Sequence, residues 1–460
     1  MRFVNDLETN IGVLQRCFLH ADTFRVRRVR GADGKARTAV CFSDDTANGE
    51  RISREIVAPM TRRPPRTLRE TGETIACSSR SVCGDVRETA AQIAAGSCAV
   101  LTDGTSRVLI YDVKAPKERG VSQPDGEGSV TGAHDGFNEN LMQNLSLLKK
   151  RLATPRLKTE MFTVGKCSAT PVALCYMDGI AKRAAVRDIR RRIRGIAADT
   201  VWNTARIAEI LCGGRGMLFP RTGATQRPDV VCAKLCEGRI ALLVGGCPTA
   251  ITIPFVFAET FQAPDDYAFT YLYGNVGRLL RWAGFRLAVL LPGVYLALIL
   301  HHPQMLPEQL AYSIAAAQRG VPFSSLTEML ALLIVFEFLR ETGARMPEAI
   351  GLALNIVGAI VLGQASVDAG FFSAPMIIIG ALSGTLGLMV RQLRGTVFFL
   401  RIGFLLAGAW LGLAGIAAGW AATHVYLCSL RSFGAPYFRA ATPFSPSFFR
   451  GVPESGRRRG

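Results

Sequence analysis

A few polar residues stand out because they interrupt apolar sequence. Met346–Gly370 reads MPEAIGLALNIVGAIVLGQASVDAG: a proline-started apolar run, Ile350–Leu362, carries an amide at Asn355, then Gln364, and reaches an acid at Asp368. About twenty mostly apolar residues suffice to cross a bilayer as a helix. Polar groups inside such a span are costly, and they face a bundle interior or a water-filled path. The segment therefore reads as a membrane helix with a polar working side, something that conducts or senses. Two acids form a second candidate set. Glu328 and Glu337 lie in the apolar stretch Leu326–Leu339, nine positions apart. At 3.6 residues per turn that places them on roughly opposite helix faces, so they cannot line one narrow face together. Each fits a gating role, a structural ion pair or interfacial exposure.

Catalytic chemistry is absent from the pattern. No Walker A sequence, no G-x-G-x-x-G after a strand, no HExxH and no G-x-S-x-G occurs. Asp44, Asp103 and Asp178 follow short apolar runs, where aspartates commonly cap helices or make turns. Cys232 and Cys236 would share a helix face, but no histidine or second pair completes a zinc set. The remaining cysteines are irregularly spaced and suit apolar core positions in a reducing compartment. The expectation is a non-enzyme with no catalytic residue, no metal and no cofactor.

The elements that carry these residues fall into two halves. Of 460 residues, the long apolar runs follow Trp282, whereas residues 1–281 have ordinary charged composition. The net charge of +18 favours lipid headgroups as the partner of the basic surface, since no nucleic-acid-binding pattern accompanies it. The N-terminal sequence lacks a basic-then-apolar leader, so the first half is expected in the cytoplasm. That half repeats itself. Thr38–Asp45 (TAVCFSDD) matches Val172–Gly179 (VALCYMDG) at an offset of 134, and Ala99–Gly104 (AVLTDG) matches Ala241–Gly246 (ALLVGG) at 142. Each first motif leads into a helical pattern, Glu50–Val57 and Ala185–Ile193. A tandem pair of α/β subdomains accounts for this. In the helix Arg187–Arg194 the spacing turns Ile189 and Ile193 inward. Ala115–Gly132 is Pro-, Gly- and Ser-rich and reads as a linker.

The fold expectation is thus an α/β soluble N-terminal region of two similar subdomains (1–125 and 126–270), a helical transmembrane domain (271–428) of about four to five spans, and a C-terminal tail (429–460). The spans are expected at Ala283–Leu300, broken at Pro292-Gly293; Ile350–Gln364; Ala374–Val390; and Val397–Leu427. The polar stretch His301–Ser325 is a loop, and Leu326–Leu339 is only partly inserted. Gly408, Gly412, Gly415 and Gly419 recur at steps of four, three and four, which gives one smooth glycine face for close helix packing. Arg391, Arg394 and Arg401 and the run Arg457–Arg459 both prefer the cytoplasm, a preference that four spans and five spans each satisfy only at one of the two clusters.

At this point the residues resemble a family. Ser313–Ala316 with Gly320–Phe323, Phe336–Glu341, Ser429–Tyr437 (SLRSFGAPY) and Arg227-Pro228-Asp229 are similar to motifs of the A subunits of GerA-type spore germinant receptors, in the same order along the chain. The segment from Pro347 through Ile350-Gly351, Ile356–Ala359, Gly363–Ala365 and Ala369-Gly370 to Met376 is similar to that family's longest signature. The resemblance implies a multi-pass subunit of the spore inner membrane with its N-terminal region facing the core. It implies a ring, expected to be a pentamer, acting as a ligand-gated channel for monovalent cations. Its implied partners are a transporter-like B subunit that binds the nutrient, a lipoprotein C subunit and membrane lipids. In that reading Val361, Gln364 and Val367, spaced by threes on one helix face, line the path together with Asn355. The alternative for Gln364 is a hydrogen bond to a neighbouring helix.

Departures from the family pattern lie at Thr131–Phe137, where two arginines and a proline are lost, and at Gln226 and Gly245–Cys247. The paralogous SpoVAF group shares the architecture and is the near alternative, although Gln364 favours the GerA side. A signalling scaffold whose spans only anchor is a further one. So is a metabolite-binding domain tethered to the membrane.

Overall fold

The computed structural model describes residues 2–30, 36–77, 79–114, 134–214, 217–267, 270–345 and 363–438. Asn355 and Val361, two of the four candidate path residues, lie outside them.

The described part of the first half forms two five-stranded antiparallel sheets. The first comprises β1 (Phe24–Arg30), β2 (Ala36–Ser43), β3 (Arg80–Cys83), β4 (Ser97–Thr102) and β5 (Val108–Asp112), in the order β1-β2-β4-β5-β3. The second comprises β6 (Leu157–Val164), β7 (Thr170–Met177), β8 (Gly223–Thr225), β9 (Ile240–Val244) and β10 (Ala250–Ile253), in the order β6-β7-β9-β10-β8. The two orders are the same. Their central strands are apolar on both sides because helices cover both faces, and successive residues serve opposite cores. Ala39 and Cys41 of β2 pack with Leu7, Ile11 and Val86, whereas Val40 packs with Ile52, Ile56 and Met60. In β7, Ala173 and Cys175 pack with Leu141, Leu145 and Val231, while Leu174 packs with Val186, Ile189 and Ile193. The basic helix Arg183–Arg194 thus buries the isoleucines its spacing turned inward.

The repeat extends further than the strands. Helices Leu7–Cys17 and Leu141–Arg151 begin 134 residues apart. In the first, the buried Asn10 side chain donates to the Val4 carbonyl (2.6 Å) and accepts from the Val4 amide (3.0 Å). In the second, Asn144 makes the same pair of bonds with Asn138, at 2.6 and 2.9 Å. Helices Val86–Ala94 and Pro228–Cys236 begin 142 residues apart, and each is followed by a glycine of positive φ, Gly96 (100°) and Gly238 (87°). A Cβ there would lie 2.7 Å from the Thr46 carbonyl oxygen in one unit and 2.8 Å from that of Ile180 in the other. Glycine removes both the clash and the cost of left-handed backbone.

The units meet through charge. Lys149 reaches from helix 141–151 into the first sheet, where its ammonium contacts Thr23 Oγ1 (2.8 Å), Ser43 Oγ (3.0 Å) and the Asp45 carboxylate (2.6 Å). Lys158 donates to the Cys17 carbonyl at 2.6 Å, and the Asp22 carboxylate accepts from the Met161 amide at 2.7 Å.

The second half is helical: Tyr271–His301, Glu308–Gln318, Ser325–Arg345, Ala374–Leu388 and Arg394–Ser429. Two of these helical stretches, Leu272–His301 and Arg391–Ser429, are long and apolar enough by length and composition to cross a membrane. Several expectations change. Helix 271–301 runs through Pro292 without a break. The segment 301–325 contains a helix of its own, and the apolar stretch beginning at Leu326 belongs to a helix of 21 residues. Most consequentially, residues 394–429 are not one rod. At Gly412 the backbone takes φ 62°, ψ −149°, a region open essentially to glycine alone. The helix turns back there: the Phe404 and Trp420 rings stand 6.1 Å apart, and Leu400 and Leu427 border one small cleft. On a straight helix, sixteen residues would separate those rings by about 24 Å. The glycines are therefore not one smooth face. Gly408 lets helix 271–301 approach at Gly293, Gly412 makes the turn, and Gly415 and Gly419 pack against the returning arm's partner around Ala407 and Phe404.

The hairpin brings Thr396, near its start, and Tyr426, near its end, to neighbouring residues of the α/β region: Thr396 donates to the Leu218 carbonyl, and Tyr426 faces the Phe219 ring. The following residues strap onto the same place. Ser432 accepts from the Phe255 amide (3.0 Å) and donates to the Arg221 carbonyl (2.7 Å), the Tyr437 carbonyl accepts from Phe257 (2.9 Å), and Arg192 stacks over Phe433. Tyr437 is fully buried among Phe219, Phe257 and Phe285.

Candidate functional site

The bundle's polar interior begins with a proline. Pro292 has no N–H, so the carbonyl four residues earlier, Ala288, loses its intrahelical donor. Neighbouring helices replace it. The Ser383 hydroxyl donates to Ala288 O at 2.7 Å and Arg401 Nε donates to it at 3.0 Å. Arg401 Nη2 donates to the Ser383 carbonyl at 2.9 Å. One guanidinium thus ties three helices, and it is only 3% exposed. Space for it comes from Gly387, where a Cβ would stand 2.9 Å from Nη2.

Magnitudes favour this arrangement. A cation near the centre of a membrane helix costs roughly 2.5–3.5 kcal/mol. Two hydrogen bonds from a charged donor return about 1.5–3 kcal/mol each. The oxygens on Ala288 and Ser383 can therefore hold the charge, and among the described residues no carboxylate touches it. The nearest charged pair is Glu337 with Arg340, one turn apart on helix 325–345; both act electrostatically on Arg401.

Glu328 occupies the other end of that helix. It is 1% exposed, and its carboxylate accepts from the Ser373 amide (2.5 Å) and hydroxyl (2.7 Å). Ser373 is the residue that begins helix 374–388, so the anion meets the positive end of a helix dipole. The two acids are indeed separated: Glu328 belongs with Tyr295, Leu296 and Met376 at one level of the bundle, and Glu337 with Arg340 and Arg401 at another. Gln364 and Val367 are placed in a short helical turn over residues 363–368, Gln364 exposed and Val367 half-buried. Neither approaches Arg401 among the described contacts. Their neighbour Ser366 borders a cleft with Phe323, Thr327 and Phe372.

By sequence alone Arg401 groups with Arg391 and Arg394 as a marker of orientation. Its burial removes it from that count. A signal existed: it is the one charge in the apolar run Val397–Leu406, and a proline with a freed carbonyl lies in another helix. Nothing in the spacing connects the two.

Comparison with known proteins places the chain in context. The model of the family described as Bacillus/Clostridium GerA spore germination protein matches residues 13–453. The Bacillus subtilis protein named uncharacterized membrane protein YfkQ is 36% identical over 81% of this chain and 73% of its own length. Spore germination protein KA of Bacillus subtilis is 34% identical, covering 76% of this chain and 65% of that protein. Spore germination protein GerLA of Bacillus cereus is 34% identical over 78% and 73%. Among solved structures, the N-terminal domain of the A subunit of the Bacillus megaterium spore germinant receptor GerK3 aligns with a TM-score of 0.43 at 22% identity, over 56% of this chain and 98% of that one.

Proposed function

This chain belongs to the GerA family of spore germination proteins, and from that premise we propose that it is the A subunit of a nutrient germinant receptor in the spore inner membrane. In this reading it assembles into a ring, a pentamer by preference, and conducts monovalent cations when a germinant acts on the receptor. A transporter-like B subunit binds the nutrient and a lipoprotein C subunit completes the complex. The α/β units lie on the core side, and the helical half spans the bilayer.

The observation that carries the reading is the cation Arg401, held by carbonyls inside an apolar bundle at a proline-freed position. Ionisable groups in such interiors mark ion paths and moving parts. An anchor that only fixed the protein to a membrane would replace the guanidinium with a hydrocarbon at no loss. Breaking Arg401 from Ala288 and Ser383 removes the polar tie among three helices that otherwise meet through apolar packing. The hairpin at Gly412 also returns Arg391, Arg394 and the residues after Ser429 to the α/β side, which agrees with positive charge on the core side.

The test is cation flux from liposomes containing the purified chain. The channel reading expects potassium efflux from the wild type or from a Val361→Ala variant, and a strong change with Arg401→Leu while the variant stays folded. No efflux from either would sink the channel and leave a non-conducting scaffold.

A further inference from the structure

The joint between the second α/β unit and the bundle encloses a cavity of about 310 Å³. It lies between edge strand β8, one face of helix 228–236, the segment 254–263 and Gln392, which sits in the turn between helices 374–388 and 394–429. Its size is at the lower end of small-molecule sites, which run from about 300 to 1,000 Å³. The walls are largely apolar, with Val230, Ala233 and Phe255 prominent, and a chain of charge crosses them. Lys234 stands 3.2 Å from Glu259, Glu259 pairs with Arg239, and Arg239 Nε donates to Glu237 at 3.0 Å.

This chain of charge is not a requirement of the fold. The first unit repeats the same strands and helix at an offset of 142, and there the positions of Lys234, Glu237 and Arg239 are Gln92, Ala95 and Ser97. Among the described residues, the network is found in the second unit, the one that touches the bundle. It is also incompletely satisfied. Glu259 Oε2 is buried, faces the Lys234 charge and accepts no hydrogen bond. Among the described residues, Glu237 bonds through one carboxylate oxygen, to Arg239. Burial pushes the Glu237 carboxyl above its ordinary range, Glu259 adds to the shift, and Arg239 only partly opposes it. By contrast, Lys234 and Arg239 outweigh burial at Glu259 and hold its carboxyl low. Glu237, which lines the cavity, is the carboxylate of the network with an oxygen left open to it.

We infer that this cavity binds a small organic molecule carrying an ammonium group on an apolar body. The ammonium meets the open oxygen of Glu237, and the hydrocarbon lies against Val230, Ala233 and Phe255. Because Gln392 forms part of the wall, occupancy would bear directly on the turn that feeds the hairpin helix. The site is independent of whether the bundle conducts.

The test is calorimetric titration of the full-length chain in detergent with n-butylamine, norvaline and sodium butyrate at equal ionic strength, with potassium chloride as the control. Binding of n-butylamine alone identifies a simple amine site, and binding of norvaline as well identifies an amino acid site; both support the inference. Glu237→Gln should weaken binding about tenfold, the size of one charge-assisted bond. Ala233→Leu, which fills the cavity, should abolish binding without unfolding the chain, as judged by circular dichroism. Heat from butyrate only, heat equal to that of potassium chloride, no heat from either ammonium compound, or an unchanged affinity in Glu237→Gln would each overturn it.

Discussion

The two α/β units share strand order, helix placement, a buried asparagine clasp and a glycine turn, yet their surfaces have diverged. Position 15 of the first unit is Gln15, and its counterpart at 149 is the lysine that crosses into the first unit's sheet. Positions 92, 95 and 97 are neutral, and their counterparts carry the ion-pair chain at the bundle. What the repeat kept is what each unit needs to fold. What it changed is what each unit touches. The second unit faces two partners, the first unit and the bundle, and the changed charges lie at those two contacts.

That comparison can be broken at its strongest point by Lys149→Ala. Asp45 has a side chain with no exposure and would be left as an uncompensated buried charge, a loss of about 3–5 kcal/mol. Chemical denaturation of the full chain should show it, whereas Gln15→Ala should change little. The shared clasp predicts symmetry instead: Asn10→Ala and Asn144→Ala should each cost about 1–3 kcal/mol, and by similar amounts. A large disparity between them would mean that the two units do not share a folding requirement. Gly96→Ala and Gly238→Ala form a second matched pair, each expected to lose about 1–2 kcal/mol from left-handed backbone alone, with the carbonyl clash added. Thermal melts of the two should move together.

The smallest effect is one of pH. Glu237 has a folded-state pKa above its unfolded value, so the folded state binds its proton more tightly and its contribution to stability declines as pH rises through that range. Glu237→Gln, which cannot ionise, should therefore gain stability relative to wild type between pH 4 and pH 7. Asp229 runs the other way: burial raises its carboxyl, Arg227 outweighs burial and lowers it, and its contribution is lost as pH falls. Asp229→Asn should therefore be less stable than wild type at pH 7 and pH 4, and that deficit should shrink as pH falls from about 4 towards 2. Paired melting curves at pH 7, about pH 4 and about pH 2 check both signs.

Much of the α/β region was legible because strands declare themselves locally. TAVCFSDD and VALCYMDG carry the alternation of two cores and the turn that follows, and the offset between them recurs in the three-dimensional repeat. The helix pair at its start is equally marked, in the shared Phe, Leu, Asn and Leu of Phe3–Leu14 and Phe137–Leu148, although its 3.6-residue spacing is weaker evidence of a repeat than the strand motifs. The bundle was less legible. Glycines at steps of three and four look the same whether they line a smooth face or supply a turn, and Pro292 looks like a break whether or not a neighbouring helix replaces its missing bond.

By itself, then, the sequence determined the elements, the repeat and the apolar character of the second half, since these follow from periodicities of two and 3.6 residues and from composition. Only the tertiary structure decided that Gly412 reverses a helix, that Arg401 is an interior cation rather than a surface marker, and that Glu237 lacks a full set of partners. Each of those depends on atoms from a distant part of the chain: His301 and His302 beside Gly412, the Ala288 carbonyl at Arg401, and the Glu259 carboxylate near Glu237. A side chain's type is local, but the oxygen or charge that gives it a role is not.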